Sequence, residues 1–315
     1  MSSKTLASYN TGVNAFVYFC SLYGITFHTG EWVGSEEVLV HYTCYLADVK
    51  SLAHVTIKLY LAGLRNYCIT HAMDYPFEKP NGQQMLQLKL VLRGIKKSRV
   101  PKQLRRQPIT AVIMIRLFNA LNGTQFGVYE DILFKAVLSL AFFGFMRCGE
   151  FTTQGTHFDP EFNVCLGDLI LGTNEAKLIL KTSKTDPFRL GVTIPFFKQD
   201  SVLCPISALQ GFMKLRASFA SNPALPLFLF HDFTHLTRRK FITMLHETCK
   251  SSGIACSGFY GHSFRIGAAT TCAKMGVADH LIQTLGRWSS NCYKTYVHVS
   301  DNSIKEAQRK MSKIE

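Results

Sequence analysis

The stretch that most limits what this chain can fold into is Ala136-Val137-Leu138-Ser139-Leu140-Ala141-Phe142-Phe143-Gly144-Phe145, with one hydroxyl and no charge. It continues a helical pattern that opens near Val128. A helix apolar all round belongs at the buried centre of a domain. The run ends at Gly144, and Met146-Arg147-Cys148-Gly149-Glu150-Phe151 follows. Arg147 therefore starts in a largely buried place, where a guanidinium needs an anionic partner. Glu150, three residues on, can hold it as a purely structural pair, or can shape it for an anionic ligand. Both readings are open at this point.

The two sides of this run differ in kind. Residues 1–98 read as helices without a strand. The first spans 3–23, with Val13, Phe16, Val17 and Cys20 at helical spacing and Gly24 as its stop. The second spans 35–49, with Ser35 as N-cap. The third spans 53–72, with Val55, Leu59, Ala62 and Tyr67 on one side, and the fourth 83–97. After the linker, Thr110 caps a helix to Leu121. Short strand-like runs at 168–171, 177–180 and 191–197 are joined by turns at Gly172-Thr173-Asn174 and Thr185-Asp186-Pro187. Helices resume at 205–218, 237–251, 263–275, 278–285 and 303–313. The expected fold is mostly α with a small antiparallel β-sheet: a helical domain over 1–98, a basic linker over 99–108, and an α+β domain over 109–315.

Charge points to a polyanionic partner. Lys and Arg outnumber Asp and Glu by 35 to 21, a net charge of +14, although only 18% of residues are charged. Such a field favours nucleic acid first and an anionic membrane second. Lys89, Arg93, Lys96, Lys97, Arg99, Lys102, Arg105 and Arg106 follow one another with no acid between them. The first four share a helical stripe, and Pro101 and Pro108 break the rest. Lys58 and Arg65, seven apart, share another face. A solvated charged surface competes with DNA-backbone contact as the explanation, and a nuclear-import signal is compatible with that contact. No apolar run of 18 residues is present, so no span of a membrane is expected, and the first residues lack the apolar core of a signal peptide. Ten cysteines without a Cys-x-x-Cys pair read as buried reduced thiols.

The chemistry-bearing residues concentrate between Gly261 and Tyr296. His262 and Arg265 stand at the start of a helical pattern, where they and the free amides could face an anion. Lys184 sits at the tip of the hairpin in Ser183-Lys184-Thr185-Asp186, with Lys181 as a nearby alternative. Trp288 lies in a Gly-Arg-Trp turn, and Tyr293 and Tyr296 are one helical turn apart. Each feature alone has a bland reading: a structural histidine, a solvated lysine, a core tryptophan, rim tyrosines.

Together and in order, the sequence resembles the tyrosine recombinases, or tyrosine-type integrases. The resemblance rests on Gly144-Phe145-Met146-Arg147-Cys148-Gly149-Glu150-Phe151, the hairpin Ser-Lys-Thr-Asp, His262-Ser263-Phe264-Arg265, Leu285-Gly286-Arg287-Trp288 and Tyr296-Val297-His298-Val299. It covers residues 109–300. The helical domain looks like the family's SAM-like core-binding domain. Gly-Arg-Trp-Ser-Ser followed by Tyr-x-x-Tyr is most similar to the recombinases of eukaryotic DIRS-like and Crypton mobile elements.

The resemblance implies a C-shaped clamp on double-stranded DNA and strand exchange through a 3′-phosphotyrosyl link. Arg147 and Arg265 would clamp the scissile phosphate, His262 would hydrogen-bond it, and Lys184 would protonate the leaving 5′ oxygen. Trp288 stands where many relatives have histidine; an indole donates one hydrogen bond and does not titrate. Tyr296 would be the nucleophile, eight positions after Trp288 where many bacterial relatives have nine; Tyr293 is only five after. Lys58, Arg65 and the basic run from Lys89 to Arg106 would hold the DNA backbone. The sequence carries no carboxylate cluster suited to two-metal phosphoryl transfer, so no metal or other cofactor, and no small-molecule substrate, is expected. The implied assembly is a homotetramer on two duplexes, in the nucleus if the host is eukaryotic. Two other readings stay open: a catalytically silent, domesticated DNA-binding relative, and strand relaxation of the type IB topoisomerase kind.

Overall fold

The computed structural model describes residues 3–26, 35–73, 85–98, 106–182, 190–290, 293–294, 305, 308–309 and 311. Lys184, Tyr296, Arg99, Lys102 and Arg105 lie outside them, as does most of the helix expected over 303–313. The chain divides into two compact units, Met1–Gln103 and Leu104–Glu315.

The first unit is helical: α1 (Ser3–Leu22), α2 (Glu36–Cys44), α3 (His54–Thr70) and α4 (Leu86–Ser98). Ser35 caps α2, its Oγ accepting from the Val38 amide at 3.3 Å. The helix expected to run straight to 49 changes to a π-turn over Tyr45–Val49. Glu36 has a second task. Its Oε1 accepts from the Gln87 and Leu88 amides at 2.7 and 3.3 Å, satisfying free N–H groups at the start of α4 and tying α2 to α4. On α3 the side carrying Val55 and Leu59 faces outward, at 75% and 38% exposure, while Ile57, Leu61, Leu64 and Cys68 are buried. The helix is apolar around most of its girth, so its own periodicity leaves the choice of buried stripe open. Packing against α1 makes that choice.

The second unit is built around α6 (Val128–Phe143), whose residues from Ala136 to Phe142 are all buried. Its other elements are α5 (Ala111–Ala120), α7 (Cys148–Phe151), a 3₁₀ turn (Leu166–Asp168), β1 (Leu169–Leu171), β2 (Glu175–Leu180), β3 (Val192–Phe197), α8 (Pro205–Arg216), α9 (Arg238–Ser251), α10 (Ser263–Lys274) and α11 (Asp279–Leu285). Helices α7, α8 and α10 pack on α6, which covers it on several sides as its composition demands. Buried Asp131 secures the entry to α6: its carboxylate accepts from the amides of Gly123, Gln125 and Phe126 at 2.8, 3.1 and 3.0 Å. The antiparallel sheet has the order β1-β2-β3. Strand β2 turns Ala176, Leu178 and Leu180 inward and Glu175, Lys177 and Ile179 outward, the two-residue alternation of a half-buried strand.

Thr110 is the N-cap of α5, but its side chain makes no capping bond. The Ala111 amide donates instead to Thr271 Oγ1 at 3.3 Å, so α10 caps α5. Among the described residues, no helix is long and apolar enough to cross a membrane, and no cluster of three or more His, Cys, Asp or Glu could hold a metal ion.

Candidate active site

The site forms where α6 ends and α10 begins. After Gly144 the chain turns through Phe145, whose φ is 47°, and delivers Arg147 as the N-cap of α7. Glu150 turns back on it. Oε1 of Glu150 accepts from Arg147 Nη1 and Oε2 from the Arg147 amide, both at 2.8 Å. The Glu150 side chain is 4% exposed and that of Arg147 17%, so the guanidinium keeps an edge open to solvent while its inner side is fixed.

His262 is the residue before α10. It sits beside Arg147 because Gly261 has no side chain. A β-carbon at 261 would lie 2.5 Å from the Cys148 β-carbon, closer than two such atoms can approach. The segment entering the unit joins the same loop: Gln107 donates its amide to the Gly258 carbonyl and Ile109 to that of Ser263, both at 2.9 Å. This brings Arg106 to the site.

Arg265, one turn into α10, is 1% exposed. Its Nη1 donates to the Phe145 carbonyl at 2.6 Å and its Nη2 to the Gly286 carbonyl. The guanidinium lies 4.3 Å from the centre of the Trp288 ring, a cation–π arrangement. Trp288 also meets Phe145 edge-on, with centroids 6.0 Å apart. Its ring occupies the space that any side chain at Gly286 would need. Gly286 is thus required by the tryptophan two residues later.

The electrostatics of the site are one-sided. Burial lowers the pKa of His262 below its ordinary value. The positive charges of Arg106, Arg265, Arg238 and Arg147 lower it further. The imidazole is therefore neutral at pH 7 in the unliganded protein. Its Nδ1 is sealed from solvent and has no hydrogen-bond partner among the described residues. Four guanidiniums around a neutral ring, with Glu150 as the carboxylate paired to Arg147, make a site suited to anions.

The structure thus brings together Arg147, His262, Arg265, Trp288 and Arg106. It also settles the state of two alternatives. Lys181 is fully engaged: its ammonium contacts Asp168 Oδ2 at 2.7 Å, the Pro160 carbonyl at 2.8 Å and Cys165 Sγ at 3.4 Å. Tyr293 is 3% exposed, its ring is 6.0 Å from that of Trp288, and its hydroxyl donates to Asp279 Oδ2 at 2.9 Å. Burial, that hydrogen bond and the Asp279 charge all raise its pKa, so the phenol is held protonated. In the first unit, Lys58, Arg65, Lys89, Arg93, Lys96 and Lys97 are all exposed. Lys58 and Lys96 both bear on His54, lowering its pKa after burial has done so, which places the start of α3 beside the end of α4.

Two residues escaped the sequence reading. Arg238 opens α9 and is exposed. One of its guanidinium nitrogens lies 3.8 Å from where a β-carbon on Gly261 would stand. No local motif marks it; the site receives it only through the packing of α9. Arg287 was visible inside Gly-Arg-Trp but had no role. Its Nη2 donates to Glu150 Oε2 at 2.8 Å and its Nη1 to the Gly144 carbonyl at 2.7 Å.

The sequence matches no protein-family profile and no curated protein. Solved structures do resemble it. The XerH site-specific recombinase bound to a palindromic difH substrate aligns over 98% of this chain and 80% of its own, with a TM-score of 0.66 and 15% identity. A lambda integrase dimer bound to a COC′ core site aligns over 100% and 93%, with a TM-score of 0.57 and 17% identity. The Tn1549 transposon integrase in complex with transposon right end DNA aligns over 89% and 86%, with a TM-score of 0.57 and 14% identity. The chain has the fold of the tyrosine recombinases.

Proposed function

We propose that this protein is a tyrosine-type DNA recombinase that cuts and rejoins double-stranded DNA through a 3′-phosphotyrosyl intermediate. The observation that carries the reading is the convergence of Arg147, Arg265, Arg106 and Arg238 on a neutral His262, in a chain whose structural neighbours include recombinases and integrases bound to DNA.

In this reading the scissile phosphate enters beside Arg147 and His262. The His262 imidazole hydrogen-bonds a phosphate oxygen, and the exposed edge of Arg147 neutralises charge that grows on the phosphate oxygens. Removing one preorganised donor of this kind typically slows a reaction by roughly 10²–10³-fold. Arg265, fixed between two carbonyls and Trp288, supplies positive charge from a low-dielectric wall. Trp288 packs and orients. Arg106 and Arg238 extend the positive surface along the strand.

Tyr296 is the proposed nucleophile. A phenol has a pKa of about 10, so on the order of one in a thousand is ionised at neutral pH. Nearby guanidiniums favour the phenolate. Tyr296 loses its phenolic proton to water, its oxygen attacks phosphorus, the bond to the 5′ oxygen breaks, and Lys184 gives that oxygen its proton. Reversal by a 5′ hydroxyl re-forms the phosphodiester, so ligation needs no ATP. The commitment of Lys181 to Asp168, Pro160 and Cys165, and of the Tyr293 hydroxyl to Asp279, favours Lys184 and Tyr296 in these roles. A homotetramer on two duplexes, a mobile-element origin and a nuclear location are parts of the same proposal.

The test is covalent trapping. The protein is incubated in excess EDTA with nicked substrates that lose the leaving strand, and the attached residue is mapped by mass spectrometry. An adduct at Tyr296 without metal is expected. Binding without any adduct supports a silent DNA-binding relative, and site-independent relaxation of supercoiled plasmid supports the topoisomerase reading.

A further inference from the structure

Arg287 is a half-buried cation next to the site. Its side chain is 16% exposed. Both terminal nitrogens are committed, to the Gly144 carbonyl and to Glu150, so it does not reach toward a bound phosphate. Its Nε is buried without a partner among the described residues. Burial lowers its pKa while the Glu150 carboxylate opposes that shift; a guanidinium stays charged there in any case.

Its backbone is equally unusual. Helix α11 ends in a left-handed turn in which the Arg287 amide donates to the Thr284 carbonyl at 2.9 Å and the Trp288 amide to that of Gln283 at 3.1 Å. The left-handed position of such a turn favours glycine. Here glycine stands one residue earlier, at 286, under the Trp288 ring, and Arg287 takes the left-handed position with φ 53°. A non-glycine residue held there is strained, and such strain persists where the surroundings over-determine it. A turn needed only for its shape has no use for arginine.

The structure gives it a use. Glu150 Oε2 accepts from both Arg287 Nη2 and the Arg147 amide, while Oε1 accepts from Arg147 Nη1. One carboxylate is therefore shared by two guanidiniums that arrive from opposite ends of the unit. The Gly144 carbonyl adds the end of α6 to the same linkage. We propose that Arg287 is a positioning residue that, through Glu150, orients Arg147 for the phosphate and couples that orientation to the turn leading into the segment of Tyr296. The proposal rests on the recombinase reading for the role of Arg147. It goes beyond it in giving the arginine of Gly-Arg-Trp a function.

The experiment measures single-turnover adduct formation at saturating DNA. Arg287→Gly suits the left-handed turn and removes the guanidinium. It is expected to keep wild-type DNA affinity and to slow adduct formation by roughly 10²-fold, as a misplaced binding group does. Arg287→Met, which retains bulk without donors, is expected to match it. In a Glu150→Gln background the further loss from Arg287→Gly should shrink to a few-fold, because the route to Arg147 is already broken. Losses that multiply in full would overturn the proposal, as would a methionine variant at the wild-type rate, or lost affinity with an unchanged rate at saturation. A second readout needs no catalysis: ¹⁵N NMR of the Arg147 side chain in the free protein should shift and broaden in Arg287→Gly. Unchanged Arg147 signals sink the proposal even if the wild-type protein never cleaves. Absence of an adduct from the wild type sinks only the recombinase reading.

Discussion

Replacing Tyr293 by phenylalanine separates a structural tyrosine from a reacting one. The change removes one hydroxyl, which donates to Asp279 Oδ2 at 2.9 Å, and leaves the ring on Trp288. Hydrogen bonds to charged groups contribute about 1.5–3 kcal/mol net. Asp279 is exposed and regains water when the phenol goes, so the loss should fall below that range, at about 1 kcal/mol. For a domain of roughly 200 residues that lowers the melting temperature by about 2–4 °C. The ring contacts that hold Trp288 remain, so adduct formation on a trapping substrate should stay within a few-fold of wild type. Tyr296→Phe should do the opposite for catalysis: no covalent adduct, with unchanged DNA affinity. Calorimetry and gel detection of the adduct on the same samples decide the matter. If Tyr293→Phe abolishes the adduct and Tyr296→Phe keeps it, the reasoning from the Asp279 hydrogen bond is wrong.

Other expectations follow from the same geometry. The pKa of His262 is lowered in the folded protein, so the stability it contributes is present above its unfolded value of about 6.5 and is lost as pH falls from there through the lower folded value. A bound phosphate offsets the surrounding arginines and raises the pKa, so DNA affinity should strengthen on acidification over the same window. Titration of melting temperature and Kd from about pH 8 to 5 should show both trends in wild type and neither in full in His262→Gln; identical profiles would refute the assignment. Arg238→Ala should leave melting unchanged and reduce the slope of log affinity against log salt by about 0.9, the value of one phosphate contact, and an unaltered slope would remove Arg238 from the interface. Lys184→Ala should slow cleavage of ordinary DNA but not of a substrate with sulfur at the 5′ bridging position, since a thiol with a pKa of about 8.5 leaves without a proton donor. Equal slowing on both substrates would exclude Lys184 as the acid.

Much of the fold was legible because it depends on local patterns. The run from Ala136 to Phe142 is apolar on all sides, and no fold that buries it leaves it at the edge. The alternation in Glu175–Leu180 marks a half-buried strand. Ser35 and its following acids mark the start of a helix. The Arg147–Glu150 pair was also in reach, because three residues on a tight turn meet whatever the rest of the chain does. On α3, by contrast, several apolar stripes compete, and only the neighbouring helix α1 decides that Ile57 and Leu64 go in and Val55 stays out.

The site divides along the same line. Residue types and their order, through the resemblance to the tyrosine recombinases, singled out Arg147, His262, Arg265 and Trp288 as candidates. Their mutual placement is tertiary. Only the contact between Gly261 and Cys148 seats His262 beside Arg147, only the packing of α9 delivers Arg238, and only the turn after α11 lets Arg287 share Glu150 with Arg147. The sequence by itself determined which groups could hold an anion and which helix had to be buried, since both follow from the chemistry of residues and their near neighbours. Which cations meet at one point, and which tyrosine and which lysine are occupied elsewhere, only the tertiary structure decided, because these depend on atoms brought together from distant parts of the chain.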